Sequence, residues 1–122
     1  MDIAAINSGT NNIGLFLGYG NNSFTNQTIY PLDTYSHPYS VAVTDLNNDA
    51  ILDIIVVNYA VNNLGLFLGY GNGTFAKVIP FQLEYGSQPF SVVTGDFNSD
   101  KKIDIAVANN GSDSLNIFFQ TC

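Results

Sequence analysis

The sequence has no arginine and no tryptophan, and its only basic side chains apart from His37 are Lys77, Lys101 and Lys102. Set against ten acids, they leave a net charge of −7, which repels a nucleic-acid phosphate backbone, so no nucleic-acid partner is expected. Cysteine is as scarce. Cys122, at the last of 122 positions, excludes an internal disulfide, and with His37 the single histidine no zinc cluster can be assembled. No apolar run approaches the roughly 20 residues that cross a bilayer as a helix, and no basic start is followed by an apolar stretch, so neither membrane insertion nor an export signal is expected. Charged residues make up 11% and hydrophobic ones 46%, a balance that suits one folded domain rather than a disordered tail.

What is present is repetition. "IGLFLGYGNNSF" (13–24) and "LGLFLGYGNGTF" (64–75) agree at nine of twelve positions, 51 residues apart. "DLNNDAILD" at 45 recurs as "DFNSDKKID" at 96, and "DIAAIN" (2–7), "DIIVVN" (53–58) and "DIAVAN" (104–109) keep the same offset. The chain therefore holds about 2.4 units of a 51-residue period, with no linker.

Each unit reads as strand throughout, without a helical period. "PYSVAVTD" (38–45), "DIIVVN" (53–58), "LGLFLG" (64–69) and "TFAKVIPFQL" (74–83) are β-branched or aromatic runs separated by Asn-, Gly- and Ser-rich breaks. Four short strands in about 50 residues suit one antiparallel blade of a β-propeller. With the strands lettered A to D, the expected fold is all-β: a partial blade B-C-D over 2–37, a full blade over 38–88 and a partial blade A-B-C over 89–122. A ring of seven such blades needs roughly 350 residues, so the expectation is a propeller segment completed by further repeats in a parent chain or by self-association through open blade edges.

The connection between strands A and B carries the chemistry. Asp45, Asn47, Asp49 and Asp53 place oxygen side chains at loop positions one, three, five and nine, and Asp96, Asn98, Asp100 and Asp104 repeat the pattern. Position seven, Ile51 or Lys102, needs to give only its backbone carbonyl. Three carboxylates, an amide, a carbonyl and one or two waters meet the six to eight oxygens that calcium takes, whereas magnesium asks for a tighter octahedron and more water. The competing reading is a polar turn in which Asp and Asn satisfy local amides. Identical ligand types in two loops, amid variable neighbours such as Leu46/Phe97 and Ala50/Lys101, favour two Ca²⁺ sites.

These stretches, preceded by "PYSVAVT" or "PFSVVTG" and followed in the first case by "LGYGNGTF", resemble FG-GAP (VCBS-type) repeats, the blades of integrin α-subunit propellers. The resemblance covers the whole chain. It implies calcium in the A–B loops, held by Asp45, Asn47, Asp49, Asp53 and the Ile51 carbonyl, and by Asp96, Asn98, Asp100, Asp104 and the Lys102 carbonyl. It further implies a non-catalytic role in cell adhesion or in recognition of a protein or glycan, at an extracellular or cell-surface location. Two departures stand out. Ala50 and Lys101 occupy the sixth loop position, where that family often has glycine, and Asp2 holds a ninth position without its earlier partners.

The remaining features have plainer readings. Tyr19, Tyr70, Phe24 and Phe75 recur with the repeat and are expected in the core between blades. Gly18, Gly20, Gly69 and Gly71 suit hairpin turns rather than a phosphate loop, since no helix follows. His37 has no nucleophile or carboxylate at a catalytic spacing and is replaced by Gln88 one period on. Four sequons, at Asn21, Asn26, Asn72 and Asn110, would accept glycans in a eukaryotic secretory pathway. The alternatives to an adhesion segment are a lectin-like module and a non-catalytic appendage of a larger secreted enzyme.

Overall fold

Short β-branched runs cut by turn residues can satisfy their backbone groups only by pairing with one another. The computed structural model describes residues 2–120, leaving Met1, Thr121 and the single cysteine, Cys122, outside the description. Ten strands follow in order: β1 Ile3–Asn7, β2 Asn12–Phe16, β3 Thr28–Pro31, β4 Pro38–Thr44, β5 Asp53–Asn58, β6 Asn63–Phe67, β7 Ile79–Gln82, β8 Pro89–Gly95, β9 Asp104–Asn109 and β10 Ser114–Phe118. No helix occurs among the described residues. The strands form three sheets, β1-β2-β3, β4-β5-β6-β7 and β8-β9-β10, in which each strand pairs with its sequence neighbour. Every pairing is antiparallel.

Sequence-equivalent residues pair alike, Val41 with Val56 and Val92 with Val107. Both inner hairpins also slip register just after their first proline, between Pro38 and Ser40 and between Pro89 and Ser91. Proline has no N–H to give the ladder, so the strand is free to bulge there. The last strand of the middle sheet is shorter than the expected 74–83. It starts at Ile79, and the earlier part makes only a tight hairpin closed by the isolated Gly69–Phe75 bridge. Pro80 removes one donor, and Tyr70 N–H to Thr74 O (3.0 Å) and Ala76 N–H to Leu68 O (2.8 Å) consume the groups that would extend the ladder.

Alternation along each strand gives every sheet two apolar faces, and the core lies between sheets. Ile13 and Leu15 of the first sheet meet Ile54, Val56 and Phe67 of the middle one. From its other face Ile55, Val57 and Leu64 meet Val92 and Val107 of the third. Buried on both sides, β5 is the most enclosed strand, and Ile55, Val56 and Val57 have no exposed surface. Each such side chain contributes about 1.5–3 kcal/mol through its removal from water.

A polar link accompanies each apolar contact. Asn11 and Asn62, both in the left-handed region at φ 55°, sit in the turns after β1 and β5. The Asn11 Oδ1 accepts the His37 N–H at 2.9 Å and the Asn62 Oδ1 accepts the Gln88 N–H at 2.8 Å, each just ahead of the next sheet's first strand.

The repeating aromatics divide. Phe75 packs on the first core cluster and stands edge-on to Tyr30 at 5.8 Å, but Tyr19 and Tyr70 are 67% and 65% exposed and Phe24 is exposed too. The expectation of a wholly buried aromatic set is corrected here. The tyrosines project from the tips of the Gly18–Phe24 and Gly69–Phe75 hairpins, beyond the reach of the neighbouring sheet.

Candidate metal centre

The two loops that join β4 to β5 and β8 to β9 fold around the carboxylate of their first residue. The Asp45 Oδ1 accepts the Asp49 N–H (3.1 Å), its Oδ2 accepts the Ala50 N–H (2.8 Å), and the Asp49 Oδ1 accepts the Ile51 N–H (2.9 Å). The second loop repeats these bonds, Asp96 with Asp100 (3.1 Å) and Lys101 (2.8 Å) and Asp100 with Lys102 (3.0 Å). Such a tight curl needs left-handed backbone at Asn48 (φ 61°), Ala50 (66°), Ser99 (63°) and Lys101 (68°). Asparagine tolerates that region, whereas alanine and lysine pay about 1–2 kcal/mol in Cβ crowding. Replacing Ala50 and Lys101 with glycine is expected to raise stability by about 1 kcal/mol per site, seen as an upward shift in the urea midpoint.

The ninth-position aspartates differ from the rest of the set in being buried. Asp53 and Asp104 are 1% and 0% exposed, and each ties three parts of the chain together. The Asp53 Oδ2 accepts the Leu46 N–H and its Oδ1 the Gly69 N–H, both at 2.9 Å. Asp104 accepts the Phe97 and Gln120 N–H groups, also at 2.9 Å. Asp2, whose earlier partners are missing from the sequence, still accepts the Gly18 N–H at 2.8 Å. Gly69 has a strict reason to be glycine: a Cβ there would lie 2.2 Å from the Leu52 carbonyl oxygen. This tie between loop and hairpin escaped the sequence reading, although aspartate and glycine recur together at one period's distance.

The structure gathers three of the side chains expected in each loop. Carboxylate oxygens of Asp45, Asp49 and Asp53 all lie within 4.8 Å of one another, as do those of Asp96, Asp100 and Asp104. Oxygens on opposite sides of a calcium ion stand about 4.6–5.2 Å apart, so each triad fits around one such ion. Without a cation, each pair of charges at this spacing repels by about 1 kcal/mol in water and about 3–4 kcal/mol at an effective dielectric constant of 20. Asn47 and Asn98 are exposed in the same loops, while Ile51 and Lys102 stand partly buried two residues before the buried aspartates. The donors are all hard oxygens, with no thiolate or imidazole, a chemistry that suits Ca²⁺ and not Zn²⁺. His37 is exposed just ahead of β4, whereas the first triad's loop follows the far end of that strand.

No curated protein and no solved structure matches the chain. The family model described as "FG-GAP-like repeat" matches residues 1–56 and again residues 45–107. The two overlapping matches together cover residues 1–107, most of the chain, and the chain belongs to the FG-GAP-like repeat family.

Proposed function

We propose that the chain is a calcium-stabilised, non-catalytic segment of a β-propeller, with blades at 2–37, 38–88 and 89–122, acting in extracellular or cell-surface recognition or adhesion. The observation that carries this reading is the pair of convergent carboxylate triads. Asp45, Asn47, Asp49, Asp53 and the Ile51 carbonyl would hold one ion, and Asp96, Asn98, Asp100, Asp104 and the Lys102 carbonyl the other. The ion would neutralise three crowded carboxylates and fix the loop, a structural service rather than a catalytic one. FG-GAP-like repeats are common in extracellular proteins, where sites of modest affinity stay filled, because extracellular calcium modules work at about 10⁻⁴–10⁻³ M.

A partner surface is available at the end of the sheets opposite the loops. Tyr35 and Tyr85 are exposed in the turns before β4 and β8, and exposed Tyr39 stacks on Tyr59 with centroids 4.8 Å apart. Flat exposed rings suit a protein or glycan ligand. Retention on an immobilised glycan array, lost in Tyr39→Ala, would select the glycan.

Calorimetric titration of the chain with calcium tests the metal reading. Two sites per chain are expected, with dissociation constants of about 0.1–1 mM. Asp49→Ala should leave one site and the double variant Asp49→Ala/Asp100→Ala none. Absence of binding at millimolar calcium would refute it.

A further inference from the structure

The tyrosines at the two hairpin tips have no partner inside the fold. Tyr19 and Tyr70 are mostly exposed, and among the described residues neither ring makes a ring contact nor its hydroxyl a hydrogen bond. The two hairpins are neighbours: a Cβ on Gly73 of the second would come within 2.8 Å of the Leu17 side chain at the base of the first. Tyr19 thus stays open with a following sheet in place and Tyr70 with a preceding one, so their exposure is a property of the tips.

What the tips share is an asparagine two residues beyond the tyrosine and a hydroxyl residue two beyond that: Tyr19, Asn21 and Ser23 in one, Tyr70, Asn72 and Thr74 in the other. Asn-x-Ser/Thr is the acceptor sequence for N-linked glycans. Left-handed backbone at Gly20 (φ 86°), Asn22 (68°), Gly71 (90°) and Gly73 (84°) reverses the chain here. Tyr19 N–H to Ser23 O and Tyr70 N–H to Thr74 O, both 3.0 Å, then set tyrosine and hydroxyl residue opposite each other, next to the Gly18–Phe24 and Gly69–Phe75 bridges. Opposite residues of an antiparallel pair leave on the same face, so ring and hydroxyl flank the exposed asparagine at the apex. The Ser23 and Thr74 hydroxyls bond to the Oδ1 of Asn21 and Asn72. Each Nδ2, the atom that receives the sugar, has no bond to another described residue.

The other two sequons lack this arrangement. Asn110 has Ala108 two residues before it. Asn26 has Phe24, but Phe24 pairs with Gly18 and Thr28 with Leu15, so the chain runs through that sequon without bringing ring and hydroxyl together.

We propose that Asn21 and Asn72 carry N-linked glycans, and that Tyr19 and Tyr70 are platforms for the first sugar, an N-acetylglucosamine whose apolar C–H face covers the ring. In the transfer the asparagine Nδ2 bonds to the anomeric carbon of an oligosaccharide carried on a polyprenyl diphosphate. The carbon–oxygen bond to the diphosphate breaks, the diphosphate leaves with its electron pair, and the nitrogen gives up one of its two protons. The proposal rests on the extracellular reading, since this donor and its transferase act in the secretory lumen.

Expression of the full chain behind a secretion leader in eukaryotic cells tests it. The leader brings the chain to the lumen whatever the native location, so a failure counts against the site and not against that location. Peptide mass mapping of the secreted protein should find Asn21 and Asn72 occupied, and Thr74→Ala should lose the glycan at Asn72 while keeping that at Asn21. With its glycans trimmed by an endoglycosidase to the first sugar, the protein should melt about 3–6 °C above the Asn21→Gln/Asn72→Gln variant. Tyr19→Ala/Tyr70→Ala should abolish that difference. Tyr19→Phe/Tyr70→Phe should keep it, because the ring face and not the hydroxyl meets the sugar. Secreted chain with either asparagine unoccupied, a melting difference absent from the wild type, or one that survives the loss of both rings would each overturn the proposal.

Discussion

Asp53→Ala, measured by urea unfolding in the presence of a chelator, is expected to cost about 3–5 kcal/mol. Its carboxylate accepts the Leu46 and Gly69 N–H groups while 1% exposed, and alanine leaves both donors without an acceptor. An unsatisfied buried donor costs about 1–3 kcal/mol, and the shortened side chain adds a small void. A domain with the usual 5–15 kcal/mol would lose much of its stability. Asp53→Asn should cost about half as much, since its single carbonyl oxygen can still accept one of the two amides. Asp49→Ala is the control. Its carboxylate accepts the Ile51 N–H in an exposed loop, so the loss in chelator should stay below about 1 kcal/mol. Equal losses for Asp53→Ala and Asp49→Ala would show that burial of the ninth-position carboxylate does not anchor the hairpin.

Calcium should raise the melting temperature by roughly 10–30 °C. At about ten to a hundred times the dissociation constant, each site adds about 1.4–2.7 kcal/mol, and two sites together about 3–5 kcal/mol. For a domain of this size each kcal/mol corresponds to about 3–6 °C. The double variant Asp49→Ala/Asp100→Ala should melt at the same temperature with calcium as with chelator, because each substitution removes one oxygen donor that takes little part in the fold's own hydrogen bonding. Identical melting of the wild type with and without calcium would remove the ion from the account. Scanning calorimetry on both proteins measures the effect directly.

Much of this arrangement was legible in the sequence because its causes are local. Spacing within nine residues brought each carboxylate triad into view, and the β-branched or aromatic runs "DIIVVN" and "LGLF", bounded by polar breaks, marked strands whose partners lie one turn away. What stayed hidden depends on residues far apart in the chain. Asp53 and Gly69 are 16 positions apart and Asn62 and Gln88 are 26, and neither pair forms a motif that pattern or propensity would flag. The tyrosines failed for a related reason. Recurrence shows that Tyr19 and Tyr70 hold equivalent places, but only the length of the hairpin tip decides whether the ring reaches a neighbouring sheet.

Asn11 and Asn62 give the packing a directional consequence. Apolar faces tolerate sliding and small rotations, because dispersion contacts have no preferred angle. A side-chain oxygen 2.8–2.9 Å from a backbone amide does not. A second tie crosses each contact, Phe75 N–H to the Tyr30 hydroxyl (3.2 Å) in one and Val92 N–H to the Ser40 hydroxyl (3.3 Å) in the other. Neighbouring sheets are therefore pinned at more than one point, and a bulkier core residue should strain these bonds as it changes the wedge between the sheets.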